Sequence, residues 1–263
     1  MRQLRSELGR DNCLVIHLTL FPYLRAAKEL KTKPTQHSVK KLLSLGVQPD
    51  ILACRAEHPL GADIRRKLAL FCNVEMSSVI EALDADSIYD VPLLLLKERL
   101  DTEDNSKLHL SDRREPNLAS WKNFLGKLKN PLHEVSIGLI GKYNELPDAY
   151  KSIYEAFVHA GAVNECKVRV VPVHAEDLEG NYKDVSKALE GLHGILVAPG
   201  FGERGIEGKL LAIRFAREHD VPFFGICLGM QTACVEFARN VLGLAGAAST
   251  EVDRKTQHPV IDL

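Results

Sequence analysis

Short apolar runs alternate along this chain with longer segments of helical periodicity, and this alternation restricts the fold more than any other feature. Residues 134 to 239 contain four strand-length apolar runs with helical segments between them. Strands that alternate with helices predict a parallel sheet covered on both faces. The pattern therefore indicates a doubly wound α/β unit. Its predicted strands are 134–143, 166–173, 193–199 and 221–226, its predicted helices are 147–161, 206–219 and 229–239, and a further strand starts at 258.

The first hundred residues show the same alternation and predict a second α/β unit. A charged amphipathic helix is expected in the first twelve residues, and residues 101–116 are polar without a long apolar run. We interpret 101–116 as a linker into an amphipathic helix at 118–128, which predicts two domains, 1–115 and 116–263. The remaining predicted elements are strands at 12–20 and 50–55 and helices at 34–45 and 61–71, with Gly46 ending the first of these helices.

Composition excludes several classes of protein. The chain has 263 residues, of which 45% are hydrophobic, and its net charge is −1, so nothing in it attracts nucleic acid or an anionic membrane as a whole. No apolar run approaches the roughly 20 residues that a membrane span needs. The charged N-terminus lacks the apolar core of a signal peptide. The six cysteines have no C-x-x-C spacing, which is typical of buried thiols, at most one of them reactive, in a reducing compartment. We expect a cytoplasmic protein.

The segment GICLG places a cysteine, Cys227, between a predicted strand and a predicted helix. Gly225 and Gly229 allow the close backbone approach of a tight strand-to-helix turn, the geometry that exposes a nucleophile. The helix N-terminus would favour the thiolate, and the Leu228 amide would face a developing oxyanion. The alternative is a buried core cysteine, and we assign that role to Cys54 and Cys234.

A second glycine-rich loop, VAPGFGERGIEG at 197–208, follows the preceding strand. Gly200 and Gly202 could present a backbone amide to the same oxyanion. A glycine-rich loop alone is weak support, because most such loops are simple turns. The support is stronger here, because the loop lies one strand–helix unit before Cys227.

PGFG followed by GICLGMQ resembles the class I glutamine amidotransferases. The resemblance implies that Cys227 attacks the carboxamide of glutamine, forms a thioester and releases ammonia. It also implies a histidine base followed two residues later by a glutamate. The one histidine after Cys227 is His258, which Val260 follows at that spacing, and we interpret His258 as the start of a strand. The resemblance implies that Gly200, Leu228, Gly229, Met230, Gln231 and Glu251 bind glutamine. Because Pro199 has no amide, Gly200 must serve the oxyanion.

KTKPTQHSVKKLLSLGVQPDIL at 31–52 is similar to the nucleotide-binding segment of the CTP synthases, as are HLTLFPY, ALFCNV, DSIYDVP, GKYNELPDAYKS and AASTE elsewhere in the chain. A helix N-terminus flanked by lysines suits a triphosphate, although a solvated helix start is the ordinary alternative. The resemblance implies an incomplete synthetase part of P-loop type and an incomplete glutaminase part. It implies binding of UTP or inhibitory CTP by Lys31, Thr32, Lys33, Pro34, Thr35, Gln36 and Lys67, and of ATP near Leu83, Asp84 and Ala85.

The family resemblance implies amination of UTP to CTP with ammonia from L-glutamine, at the expense of ATP and with Mg²⁺. It also implies GTP as an activator and a homotetramer. No G-x-x-x-x-G-K-[ST] sequence occurs in the chain, and we expect no metal ligands in it. We therefore expect a fragment truncated at both ends, without ATP turnover and with slight glutaminase turnover. Two alternatives stay open: another glutamine amidotransferase of the GMP synthetase type, and a non-catalytic nucleotide-binding or assembly protein derived from CTP synthase.

Overall fold

The computed structural model describes residues 1–111, 114–146 and 148–262. The chain divides into two compact units, residues 1–118 and 119–263. Each unit is an α/β structure built on parallel strands, which confirms the predicted fold class. The predicted domain boundary at 115/116 remains a prediction. No helix among the described residues is both long and apolar enough to span a membrane.

The first unit is built on a three-stranded parallel sheet in the order β1 (Ile16–Phe21), β4 (Ile51–Ala56) and β5 (Val79–Leu83). An antiparallel pair, β2 (Tyr23–Leu24) and β3 (Glu29–Leu30), joins β1 to the following helix and was not predicted. Short 3₁₀ turns lie at Arg10–Asn12 and Ile88–Asp90. The elements in chain order are α1 (Arg2–Leu8), β1 (Ile16–Phe21), β2 (Tyr23–Leu24), β3 (Glu29–Leu30), α2 (Lys33–Ser44), β4 (Ile51–Ala56), α3 (Ala62–Cys72), β5 (Val79–Leu83), α4 (Val91–Lys97) and α5 (Leu100–Lys107).

Several features of the first unit differ from the expectation. The first strand begins at Ile16, four residues later than predicted, and β5 was not predicted. One face of β1 is not covered, since Leu18 and Leu20 are about two-thirds exposed at 67% and 66%. The polar stretch expected to be a linker contains the helix α5, because its acidic first turn and its terminal Lys107 suit the helix dipole.

The second unit is built on a four-stranded parallel sheet in the order β7-β6-β8-β9. A 3₁₀ turn lies at Glu176–Leu178. A small parallel pair, β10 and β11, follows the last helix. The elements in chain order are α6 (Ala119–Lys129), β6 (His133–Gly141), α7 (Lys151–Val163), β7 (Cys166–His174), α8 (Tyr182–Leu189), β8 (Gly194–Val197), α9 (Ile206–Glu218), β9 (Phe223–Gly225), α10 (Leu228–Asn240), β10 (Ala248–Ser249) and β11 (Pro259–Ile261).

Consecutive buried residues of the central strands face opposite sides of this second sheet. Ile140 of β6 packs in a core with α8 and α9, while its neighbour Leu139 packs with α7 on the other side. Both faces of the central strands are therefore covered, as predicted. Helix α7 begins at Lys151 instead of 147, and Pro147 lies outside the described residues.

All strands of the second sheet run in one direction, so their carboxyl ends share one edge. The loop after β8 and the turn after β9 both leave the sheet there, and functional loops collect at such an edge. The fold thus brings together two glycine-containing segments that are about thirty residues apart in the sequence.

Candidate functional site

Cys227 lies at the tip of the turn between β9 and α10. It is the N-cap residue of α10, and its backbone has φ 54° and ψ −110°. A positive φ is uncommon for a residue with a side chain and stores backbone strain, which is typical of residues held for function. Cys227 is exposed. The structure thus presents this sulfur to solvent at a strained strand-to-helix turn, the arrangement known from hydrolase nucleophiles.

The two glycines beside Cys227 are required by close packing of backbone against backbone. A Cβ atom at Gly225 would lie 2.5 Å from the carbonyl carbon of Gly229. A Cβ atom at Gly229 would lie 2.2 Å from the carbonyl oxygen of Val197, which also accepts the Ile226 amide at 3.0 Å. A side chain at Gly225 would therefore clash with the first turn of α10, and one at Gly229 would push that turn away from β8.

The first turn of α10 leaves one amide unpaired beside the sulfur. The amides of Met230 and Gln231 donate to the Cys227 carbonyl at 3.0 and 3.1 Å, and the Gly229 amide donates to Ile226. The Leu228 amide makes no hydrogen bond within the described part of the chain. An unpaired amide at a helix N-terminus is a donor for an anion. This is the predicted position of an oxyanion donor.

We call residues 198–202, between β8 and α9, the oxyanion loop. Gly200 is buried in it, and the direction of its missing Cβ atom points to Cδ2 of Leu228 at 3.7 Å. Among the described residues, the Gly200 amide also has no hydrogen-bond acceptor. The structure therefore places the two predicted donor residues, Gly200 and Leu228, next to each other.

The remaining residues of the predicted glutamine set surround this turn. The Gly202 amide donates to Oε1 of Glu251 at 3.5 Å, so a carboxylate distant in sequence lies against the oxyanion loop. Met230 is exposed, and Gln231 lines a small apolar cavity together with Leu228. Gly229 allows the turn to approach β8 closely, because its backbone packs directly on Val197. Their roles in binding glutamine remain predictions.

Two buried lysines below the oxyanion loop were not predicted. Nζ of Lys142 donates to the carbonyls of Phe201 and Gly202, each at 2.8 Å, and Nζ of Lys209 donates to the Ala198 carbonyl at 3.0 Å. Burial lowers the pKa of Lys142, helped by the nearby charge of Arg204. Burial, followed by the charge of Lys142, lowers the pKa of Lys209 to about 8. The sequence signal that could have identified Lys209 as buried is its position on the apolar face of the predicted helix 206–219.

His258 lies immediately before β11, close to the predicted strand start. Its amide donates to Oγ1 of Thr256, and its carbonyl accepts the Ala248 amide. Within the described ranges, no hydrogen bond joins His258 to Cys227. The structure thus gives His258 a local structural role.

The other cysteines separate into buried and accessible groups. Cys54 is fully buried, and desolvation raises the pKa of its thiol to about 12. The expectation that Cys234 is buried was wrong, since Cys234 is exposed on α10. Helical periodicity places Cys234 on the same face as Met230 and Phe237, which are both about half exposed. An accessible thiol other than Cys227 must therefore be resolved in any labelling experiment.

The predicted nucleotide segment lies where β1 leads into α2. Thr32 is the N-cap residue of α2, and Lys33 and Pro34 are exposed in its first turn. Lys31 pairs with Glu29. The Thr35 side chain is completely buried and bonds the Thr19 hydroxyl and the Leu20 carbonyl, so it holds α2 to β1.

The other predicted nucleotide residues lie on two further elements of the first unit. Gln36 is partly exposed in the first turn of α2, and Lys67 is exposed on α3. Leu83 ends β5. The backbone amide of the next residue, Asp84, donates a hydrogen bond to the Ala56 carbonyl, and its carboxylate forms an ion pair with Arg55. Ala85 is the next residue along. Binding of UTP, CTP or ATP at these positions remains a prediction.

No group of three or more His, Cys, Asp or Glu side chains arranged to hold a metal ion occurs among the described residues. The described residues therefore do not fit a Mg²⁺ site of their own, and no step below is assigned to a metal.

The cysteine is exposed at a strand-to-helix turn, and the oxyanion loop lies one strand before it. This arrangement is the one expected of a class I glutamine amidotransferase domain. In agreement, residues 145–263 match the family "Glutamine amidotransferase class-I", and residues 1–110 match the family "CTP synthase N-terminus". The chain thus carries a CTP synthase N-terminal segment followed by a class I glutamine amidotransferase segment.

Relatives extend the family match over the whole chain. It is 64% identical over 263 residues to the CTP synthase of Cytophaga hutchinsonii and 61% identical to that of Christiangramia forsetii, covering 100% of this chain and 48% of each relative. The chain thus spans about half the length of the curated relatives it matches. A solved structure described as the glutaminase domain of Trypanosoma brucei CTPS with bound acivicin is 39% identical, covers 49% of this chain and 50% of its own, and has a TM-score of 0.47.

Proposed function

We propose that the second unit carries the glutaminase chemistry of a CTP synthase and that Cys227 is its nucleophile. One observation carries this proposal: an exposed cysteine with a strained backbone lies beside an unpaired helix amide, and Gly200 with its unpaired amide packs on the same residue, Leu228. Oriented amides that meet a developing negative charge supply a large part of the rate enhancement in acyl transfer.

The proposed reaction begins when the Cys227 thiolate attacks the carboxamide carbon of glutamine. A carbon–sulfur bond forms, and the carbonyl electron pair moves to oxygen, where the amides of Gly200 and Leu228 stabilise it. The nitrogen gains a proton from solvent water, the adduct collapses, the carbon–nitrogen bond breaks and ammonia leaves. Water then hydrolyses the thioester to glutamate.

For the first unit we propose binding of UTP, or of CTP as inhibitor, at the start of α2. The support is the exposed helix N-terminus with Lys33 in its first turn and Lys31 immediately before it, which together attract a triphosphate. In the whole protein, ATP would activate the uracil ring for amination by ammonia, and GTP would activate the glutaminase step. We propose a cytoplasmic homotetramer for that whole protein, by analogy with its family.

Labelling tests the proposal for Cys227 directly. The full chain is incubated with a chloromethyl-ketone analogue of glutamine, and the modified residue is located by peptide mass spectrometry. We expect one adduct, at Cys227, formed with saturation kinetics and slowed by added L-glutamine. The exposed Cys234 is the internal control, and Cys227→Ser should abolish the adduct. An adduct at Cys234 at an equal rate, or no protection by glutamine, would contradict the assignment.

The alternative of a non-catalytic assembly protein predicts a different result in the same experiment. A protein that has lost glutamine recognition would react at exposed thiols without saturation and without protection. The labelling experiment therefore separates the two functions, independently of whether turnover is observed.

A further inference from the structure

The side chain of Lys209 takes no part in the proposed hydrolysis of glutamine, yet it lies directly under the oxyanion loop. It is 0% exposed, and its Nζ atom donates to one acceptor among the described residues, the Ala198 carbonyl at 3.0 Å. The direction of the missing Cβ atom of Gly200 points to the same Nζ atom at 3.7 Å. The lysine thus binds the residue that begins the loop, and its Nζ atom lies on the Cβ side of Gly200, the residue proposed to donate to the oxyanion.

A buried ammonium at this position is costly for folding. Lys209 lies on the face of α9 that also carries Ile206, Leu210 and Ile213, all buried. An ammonium group has three N–H donors, and a single acceptor leaves its desolvation poorly compensated. Desolvation lowers the pKa of Lys209 to about 8, as expected for such a site. An apolar side chain of similar length would pack here without this cost, so stability does not explain a lysine.

The bonds made by the two lysines fix the peptide groups on both sides of Gly200. Lys209 holds the carbonyl of Ala198, and the Ala198 amide continues the sheet by donating to Ile140 at 2.9 Å. Lys142 holds the carbonyls of Phe201 and Gly202. Pro199 has no amide to add to this network. Lysine side chains therefore hold the Ala198–Pro199 peptide before Gly200 and the two peptides that follow Phe201, while the Gly200 amide between them stays unpaired.

We propose that Lys209 is a positioning residue that fixes the oxyanion loop through the Ala198 carbonyl, so that the Gly200 amide meets the oxyanion formed at Cys227. The inference rests on the proposed glutaminase function. Without this bond the Ala198–Pro199 peptide loses its fixed orientation, and with it the Gly200 amide that follows in the loop. The loss of one aligned donor slows the formation of a tetrahedral adduct. The charged or titratable groups that interact electrostatically with Nζ are Lys142, Glu176 and Cys227.

The test compares two electrophiles on the full chain. With the chloromethyl-ketone analogue of glutamine, the sulfur first adds to the ketone carbonyl, whose oxygen becomes an oxyanion, and chloride then leaves as the thioether forms, so this reaction needs the oxyanion donors. Iodoacetamide alkylates sulfur by direct displacement of iodide and does not need them. For Lys209→Met we expect the limiting rate of ketone labelling at Cys227 to fall roughly tenfold or more, with its half-saturating concentration unchanged. The iodoacetamide rate at Cys227 should stay within about twofold of the wild type, since that reaction makes no oxyanion.

Two further variants complete the test. Lys209→Gln keeps an N–H donor without the charge, and it should restore most of the ketone rate if the hydrogen bond to Ala198 is what matters. Lys187→Met, at an exposed lysine of α8, is the control and should behave as the wild type. Equal slowing of both electrophiles, wild-type ketone labelling in Lys209→Met, or unfolding of both Lys209 variants would overturn the inference. Absence of ketone labelling in the wild type would instead contradict the proposed function.

Discussion

Lys209 shows how a single buried charge couples function to stability. Its ordinary pKa is 10.5, and in the folded chain burial lowers the pKa to about 8. Between these values the unfolded chain binds more protons at this residue than the folded chain. Stability therefore increases as the pH rises through that window, and the cost of the buried charge is fully present below pH 8.

This linkage predicts a pH-dependent difference between the wild type and Lys209→Met. At pH 7 the variant should gain up to roughly 3 kcal/mol in unfolding free energy from removal of the buried charge, less about 1 kcal/mol for the lost hydrogen bond. The gain should shrink as the pH approaches 10. Urea unfolding followed by tryptophan fluorescence measures it, because Trp121 is the chain's one tryptophan and lies in the second unit. A difference that stays constant from pH 7 to 10 would contradict the assigned pKa.

At the scale of elements, the site depends on the distance between β8 and the first turn of α10. Gly229 packs on the Val197 carbonyl so closely that a Cβ atom would lie 2.2 Å from it. The strained φ of Cys227 persists because β9 and α10 are both held by buried contacts, such as those of Leu228 and Val235 with Ile206. The direction of the Cys227 sulfur is therefore set by the packing of these strands and helices and not by local sequence preference.

Gly229→Ala should consequently destabilise the second unit and disturb the elbow. We expect a loss of about 3 kcal/mol in unfolding free energy, because the methyl group must displace backbone atoms, together with slower ketone labelling of Cys227. Gly126→Ala is the matched control in the same unit. Nothing lies within 4 Å of its Cβ position in α6, so it should be neutral or stabilising by up to about 1 kcal/mol. Equal stability of the two variants, by tryptophan fluorescence, would show that the close approach has no energetic effect.

At the scale of the whole molecule, the two units carry separate cores and separate proposed chemistries. The first unit has a core around Leu52 and Leu68, and the second has cores on both faces of its sheet. Proteins of the GMP synthetase type would share the second unit but not the nucleotide segment at 31–36. Nucleotide selectivity of this chain therefore distinguishes the two families of whole proteins.

We expect UTP and CTP to bind at the start of α2 and to bind this chain more tightly than GMP does. Lys33→Met should weaken UTP binding by roughly tenfold, because it removes a charge-assisted bond at the helix N-terminus. Lys41→Met is the control, since Lys41 is an exposed lysine in the last turn of the same helix. Isothermal titration calorimetry measures both. If the two variants lose affinity equally, binding is a general effect of charge and the nucleotide assignment of this segment is wrong.

The sequence predicted the alternation of strands with helices, the parallel main sheets of both units and the turn that holds Cys227 between Gly225 and Gly229. These features follow from local periodicity and from the steric freedom of glycine, which act over a few residues. The helix α5 was mistaken for a linker because its polar composition hides helical preferences that the first unit reinforces through Ser78 and Glu75.

Only the tertiary structure decided which thiols are accessible and which lysines are buried. Cys234 and Lys209 both lie in apolar stretches, yet the packing of α10 and α9 exposes the first and buries the second. It also brought Glu251 and Lys142 to the oxyanion loop from distant positions in the chain. The reason is physical: burial and long-range contacts depend on how whole elements pack against the sheet, and that information is not contained in any one short segment.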